Sequence, residues 1–135
     1  MYSQIYLVDD EEIVNFIHRV SIRELGVENK VINFTNPEKA LDHVRYRIAT
    51  TEPILILLDI NMPEMTGFEF LEFMVLEEFP TNIDVAIVTS SVSEADKNLA
   101  KEFSQFVKGF VSKPINSEQM QELIGEPAQQ ISHNQ

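Results

Sequence analysis

Cysteine is absent from this 135-residue chain. That excludes disulfides, thiolate nucleophiles and thiolate metal sites. Cationic residues are scarce: 10 Lys and Arg stand against 22 Asp and Glu, a formal charge of −12. A field of that sign repels phosphate backbones, which disfavours nucleic-acid binding and suits cations or a basic partner surface. Long apolar runs are also missing, and none approaches the ~20 residues needed to cross a bilayer, so no membrane association is expected. The opening Met1-Tyr2-Ser3-Gln4-Ile5 has neither the basic start nor the apolar stretch of a secretory signal, and cytoplasm is the expected compartment. What remains is an ordinary globular composition, 44% hydrophobic and 24% charged, at the length of a single domain.

Two kinds of segment alternate along the chain. Short apolar runs predict strands at Ile5 to Val8, Val31 to Phe34, Ile54 to Leu58, Val85 to Val88 and Phe106 to Val111. The third, Ile54-Leu55-Ile56-Leu57-Leu58, is apolar at every position. A strand with one wet face would alternate, so this one is expected to be covered on both faces, as central parallel strands are.

Helical patterns fill the intervals. Ile13, Phe16, Ile17 and Val20 form one apolar stripe at i, i+3, i+4 and i+7, which predicts a core-facing side. Thr35-Asn36-Pro37 opens the next helix, with Ala40, Leu41, Val44 and Ile48 as its stripe. Gly67 precedes a third helix carrying Phe68, Leu71, Met74 and Val75. Ser93-Glu94-Ala95-Asp96 resembles a capping box before a helix reaching about Phe103. Ser117 is read as the cap of a last helix with Met120, Leu123 and Ile124, stopped by Gly125 and Pro127. The expected division is therefore a domain over residues 1–125 and a polar tail over 126–135. Five β-α repeats imply a parallel, doubly wound sheet with helices on both faces.

Parallel sheets bind ligands at the carboxyl ends of their strands. Those ends collect Asp9-Asp10, Asp59, Thr89-Ser90-Ser91 and Ser112-Lys113-Pro114. Three carboxylates at one edge repel each other unless a cation cancels the charge, and Mg²⁺ commonly takes one or two carboxylates while keeping several waters. Asp59 is then a candidate nucleophile for phosphorus, with Thr89 and Lys113 placed to hold phosphoryl oxygens. Each element alone has a plainer reading. The acids after the first strand suit a helix N-terminus, which is the assignment given to Glu11 and Glu12. Hydroxyl runs cap helices, and Phe110 alone would be a core aromatic. His18, His43 and His133 have no ligand spacing and are read as surface or tail residues.

Taken together, Val8-Asp9-Asp10-Glu11, Leu58-Asp59-Ile60-Asn61-Met62-Pro63 with Gly67, Val88-Thr89-Ser90, and Gly109-Phe110-Val111-Ser112-Lys113-Pro114 resemble the receiver domain of bacterial two-component response regulators. The likeness covers about residues 4 to 124. It implies a flavodoxin-like (βα)5 fold with strand order 2-1-3-4-5. It further implies that Asp59 is the phosphoacceptor, and that Asp9, Asp10, Asp59 and the Asn61 carbonyl hold Mg²⁺ or Mn²⁺, Asp9 mainly through water. Thr89 and Lys113 would hold the phosphoryl group, Thr89 and Phe110 would form the switch, and Asn61 and Ser91 would tune hydrolysis. Tyrosine is common at the position of Phe110, and phenylalanine forfeits its hydroxyl. The Lys113-Pro114 peptide would be cis. Expected partners are a histidine kinase or histidine phosphotransfer domain and a downstream protein. The chain would be a monomer or weak homodimer, with no enzymatic activity beyond its own phosphorylation and dephosphorylation. Phosphatases of the haloacid-dehalogenase type also use an Asp at a strand end, but usually carry a second acid two residues later, where this chain has Asn61.

Overall fold

The computed structural model describes residues 2–47 and 51–125. Its strands are β1 (Gln4–Val8), β2 (Val31–Phe34), β3 (Ile54–Asp59), β4 (Ile83–Thr89) and β5 (Val107–Ser112). Its helices are α1 (Glu12–Glu24), α2 (Pro37–Arg47), α3 (Gly67–Leu76), α4 (Glu94–Ala100, continued by a 3₁₀ turn to Phe103) and α5 (Ser117–Ile124). The strands pair in parallel in the order β2-β1-β3-β4-β5, which is the expected topology. The Lys113–Pro114 peptide is cis.

The all-apolar β3 is buried at every position and lies at the centre of the sheet. Its alternate residues build two cores. Ile54, Ile56 and Leu58 join Tyr6, Val8, Leu41, Phe70, Met74 and Phe106 beneath α2, α3 and α4. Leu55 and Leu57 join Ile5, Leu7, Ile22, Val88, Met120 and Ile124 beneath α1 and α5. The two-residue period of a strand divides one run between two helix layers.

Several expectations need correction. The stripe on α1 faces outward: Ile13 is 62% and Phe16 58% exposed, and Ile17 is also exposed. The buried residues are Asn15, His18 and Ile22, at i, i+3 and i+7 on nearly the opposite side. Polarity counts alone predicted the reverse, because they ignore what a polar group bonds to. His18 is therefore a core residue, with its Nε2 accepting the Ile115 N–H at 3.0 Å. His43 is half-buried, and its Nδ1 lies 2.7 Å from the Tyr6 hydroxyl. On α3, Phe70 is buried and Val75 exposed. Asn116 caps α5, its Oδ1 accepting the Gln119 N–H while its own N–H donates to Gln119 Oε1, and Ser117 is the first helical residue. Ile48, Pro127, His133 and the tail over 126–135 lie outside the described residues.

Candidate functional site: an acidic cluster at the carboxyl ends of the strands

Parallel register brings distant residues to one edge. β1 ends at Val8, with Asp9 and Asp10 directly after it; β3 ends in Asp59, β4 in Thr89 and β5 in Ser112, just before Lys113. Asp9, Asp10 and Asp59 each offer a carboxylate oxygen, and these oxygens lie within 4.8 Å of one another. Asp9 and Asp59 are buried and Asp10 is half-buried.

Backbone groups aim the two buried carboxylates. The Glu11 N–H donates to Asp9 Oδ1 at 2.9 Å, and the Asn61 N–H donates to Asp59 Oδ1 at 3.1 Å. Behind Asp59 the α3 entry presses close. A Cβ on Gly67 would lie 2.7 Å from the Asp59 carbonyl oxygen and 2.8 Å from the Ile60 Cα, so only glycine fits there. Thr66 and Glu69 close a capping box around that entry, which fixes the loop at the end of β3.

Lys113 supplies the cation. Its ammonium lies 3.0 Å from Asp9 Oδ2, 3.3 Å from Glu11 Oε1 and 3.4 Å from Asp59 Oδ2. One ammonium faces two buried carboxylates, so the charges do not balance. Burial, together with the Asp9 charge, pushes the Asp59 carboxyl up to about 6, against the pull of the Asn61 N–H and Lys113. Burial also raises Asp9, partly offset by the Glu11 N–H and Lys113. Burial alone would lower Lys113, but the hydrogen bond to Asp9 and the charges of Asp9 and Asp59 carry it up to about 12. Such a site is short of positive charge. An all-oxygen donor set with a surplus of carboxylate is what a hard divalent cation requires.

Thr89, Phe110 and the side chains of Asn61 and Ser91 make other contacts. Thr89 is fully buried, and its hydroxyl donates to the Ser91 carbonyl at 3.1 Å while accepting the Ser91 N–H at 3.2 Å. Phe110 is half-buried against the larger core and lines a cavity of about 270 Å³ with Lys97, Ala100, Lys101 and Ser104 between α4 and β5. The side chains of Asn61 and Ser91 are exposed.

Residues 5–125 match the response regulator receiver domain. The chain belongs to that family. This receiver domain is 28% identical to the polar-differentiation response regulator DivK of Brucella anthropi, over 92% of this chain and 94% of the other. Among solved structures, a two-component response regulator from Cytophaga hutchinsonii superposes with a TM-score of 0.76 at 26% identity, covering 93% and 96% of the two chains. One from Legionella pneumophila gives 0.73 at 28% identity, covering 90% and 95%. The domain is thus part of two-component signal transduction. The family binds Mg²⁺ at an acidic Asp cluster and works with histidine kinases or phosphotransfer proteins. No described helix is long and apolar enough to cross a membrane.

Three residues at this edge escaped the sequence reading. Glu11 was assigned to the helix dipole, yet its carboxylate reaches Lys113. Asn15 and His18 sit beneath the edge and bond to backbone groups of its loops. The available signal was their spacing, i and i+3, in phase with the apolar Ile22.

Proposed function

We propose that this receiver domain is a switch in which Asp59 accepts a phosphoryl group from a phosphohistidine. The observation that carries this is the buried Asp59 carboxylate, grouped with Asp9 and Asp10 within 4.8 Å and approached by Lys113. An Asp59 carboxylate oxygen attacks phosphorus, the new P–O bond forms as the P–N bond to the donor imidazole breaks, and the bond electrons leave with the imidazole. Asp9, Asp10, Asp59 and the Asn61 carbonyl would hold Mg²⁺ or Mn²⁺. When bound, such an ion supplies the positive charge that the carboxylates lack and that the phosphoryl oxygens need.

The chain's own residues do the rest. The Asn61 N–H keeps Asp59 oriented. Lys113 exchanges part of its pairing with Asp9 and Asp59 for a phosphoryl oxygen. Thr89 is held by Ser91 in the state described here. To reach the phosphoryl group it must give up that bond, and the space it leaves is where Phe110 would turn inward. The α4–β5 surface would then differ between the two states, which lets a partner discriminate them. Asn61 and Ser91 flank the site with small polar side chains and would admit hydrolytic water. Cytoplasmic location, a receiver unit over residues 1–125 and signalling through a protein partner or onward transfer complete the proposal.

The test is an intact mass after incubation with Mg²⁺ and acetyl phosphate. A metal-dependent gain of one phosphoryl group in the wild type and none in Asp59→Asn is expected. An equal gain in Asp59→Asn would move the acceptor elsewhere. No gain, together with failure to bind beryllofluoride, would refute the switch.

A further inference from the structure

Helix α1 buries two polar side chains and exposes three large apolar ones. Both buried residues are only 3% exposed, and both bond to backbone atoms of loops at the candidate site. Asn15 Nδ2 donates to the carbonyl of Asp9 and to that of Phe34, each at 3.1 Å. Both partners are acceptors, so the amide orientation is fixed and Oδ1 points elsewhere, where it finds no partner among the described residues. His18 Nε2 accepts the Ile115 N–H, two residues beyond Lys113. The proton of the neutral ring is therefore on Nδ1.

An apolar side chain in place of Asn15 would remove the orphaned oxygen but would also take the side-chain donor from the Asp9 and Phe34 carbonyls, so the amide holds these two backbone groups with one of its own atoms left unpaired. What the polar pair supplies is location. Asp9 and Lys113 lie 104 residues apart in sequence, yet their charged atoms meet at 3.0 Å. One helix touches the backbone on both sides of that meeting, and its two contacts are one turn apart.

We propose that Asn15 and His18 are positioning residues of the phosphoacceptor site: they tie α1 to the backbone of Asp9 and to the loop following Lys113, and so set the separation between the acids and the ammonium. This rests on the roles given above to Asp59 and Lys113. Without His18, the Ile115 N–H loses its acceptor and the loop is held by Ile115 packing and by the Lys113 N–H to Thr89 carbonyl bond at 2.8 Å. The ammonium then occupies its place for a smaller fraction of the time. Without Asn15, the ends of β1 and β2 keep only the Asp9 N–H to Phe34 carbonyl bond at 3.1 Å, and the Asp9 backbone is held less firmly.

The experiment compares His18→Leu and His18→Met, which lack a nitrogen or oxygen acceptor, with His18→Gln, whose amide oxygen can restore it, and with Asn15→Leu. Each full-length variant is followed by denaturant unfolding, by the Ile115 amide in ¹H–¹⁵N spectra, by Mg²⁺ titration and by phosphorylation from acetyl phosphate. His18→Leu and His18→Met should shift the Ile115 amide and slow phosphorylation at least tenfold, with Mg²⁺ affinity within twofold of wild type. His18→Gln should recover most of the rate, whatever its stability. Asn15→Leu should weaken Mg²⁺ binding at least fivefold. Wild-type rates in both acceptor-free variants, or rates that follow stability across the whole series, would overturn the inference. A wild type that is never phosphorylated would remove the functional reading by itself. The inference would then be decided by Mg²⁺ titration, and either unchanged binding in Asn15→Leu or no binding by the wild type would overturn it.

Discussion

The two faces of the sheet are built on different terms. Beneath α2, α3 and α4 lies the larger core, rich in aromatic residues such as Phe70, Phe79, Phe103 and Phe106. Beneath α1 and α5 the core is smaller, and Asn15 and His18 are buried beside it. The first face holds the fold by apolar burial. The second gives up part of its apolar burial to hydrogen bonds that hold loops at the acidic edge. A domain can thus keep stability and site geometry on opposite sides of one sheet, with the central β3 contributing to both.

The sharpest way to break this comparison is to damage the apolar face. Phe70 is fully buried in the larger core. Phe70→Ala should cost about 3–5 kcal/mol, the range for truncating a buried aromatic. Denaturant unfolding would measure it. A loss below about 1 kcal/mol would mean that this face is not the main source of stability.

The second prediction separates two titrating groups that pull in opposite directions. His18 is lowered to about 4 from 6.5, by burial first and the Lys113 charge second. Its unfolded form binds the proton more readily, so its contribution is intact above about pH 6.5 and falls away as pH drops toward 4. Asp59 is raised to about 6 from 3.8, so between those values the folded state binds the proton more readily, and stability grows as pH falls. The two contributions therefore oppose each other between about pH 4 and pH 6. In metal-free buffer, the difference curves should therefore have opposite slopes. Relative to wild type, His18→Leu should gain stability as pH falls, and Asp59→Asn should lose it. Parallel curves would show that the two groups do not differ in this way.

Much of this was legible from residues. The unbroken apolar run at Ile54–Leu58 fixed a central parallel strand, and the strand-end acids with Lys113 marked the edge where these groups meet in the candidate site. The cap of α5 was read one residue late, at Ser117, although Gln119 stands three residues after Asn116 and completes a box, whereas Met120 stands three after Ser117. The orientation of α1 was not legible. Its apolar stripe has the period of a core-facing helix, and periodicity reports hydrophobicity without saying which backbone groups elsewhere need a partner. Asn15 and His18 find their partners in carbonyls and an N–H that only the folded loops bring near. The engagement of Thr89 with Ser91 was equally hidden, since it depends on the path of a short loop.

The smallest effect tests the inverted helix directly. Phe16 is 58% exposed on the outer side of α1, beside Ile13 and Ile17. If that side has no role in the core, Phe16→Ser should change stability by no more than about 0.5 kcal/mol, as exposed substitutions do. The helix has Ile22 and its polar contacts to keep it seated, and serine costs little more than phenylalanine in helix propensity. A core-facing Phe16 would behave like Phe70 and lose several kcal/mol. The two substitutions, measured in the same denaturant, differ by enough that an error in the assignment of α1 could not be mistaken for noise. Near-equal losses would reverse the orientation of α1, and with it the burial of Asn15 and His18.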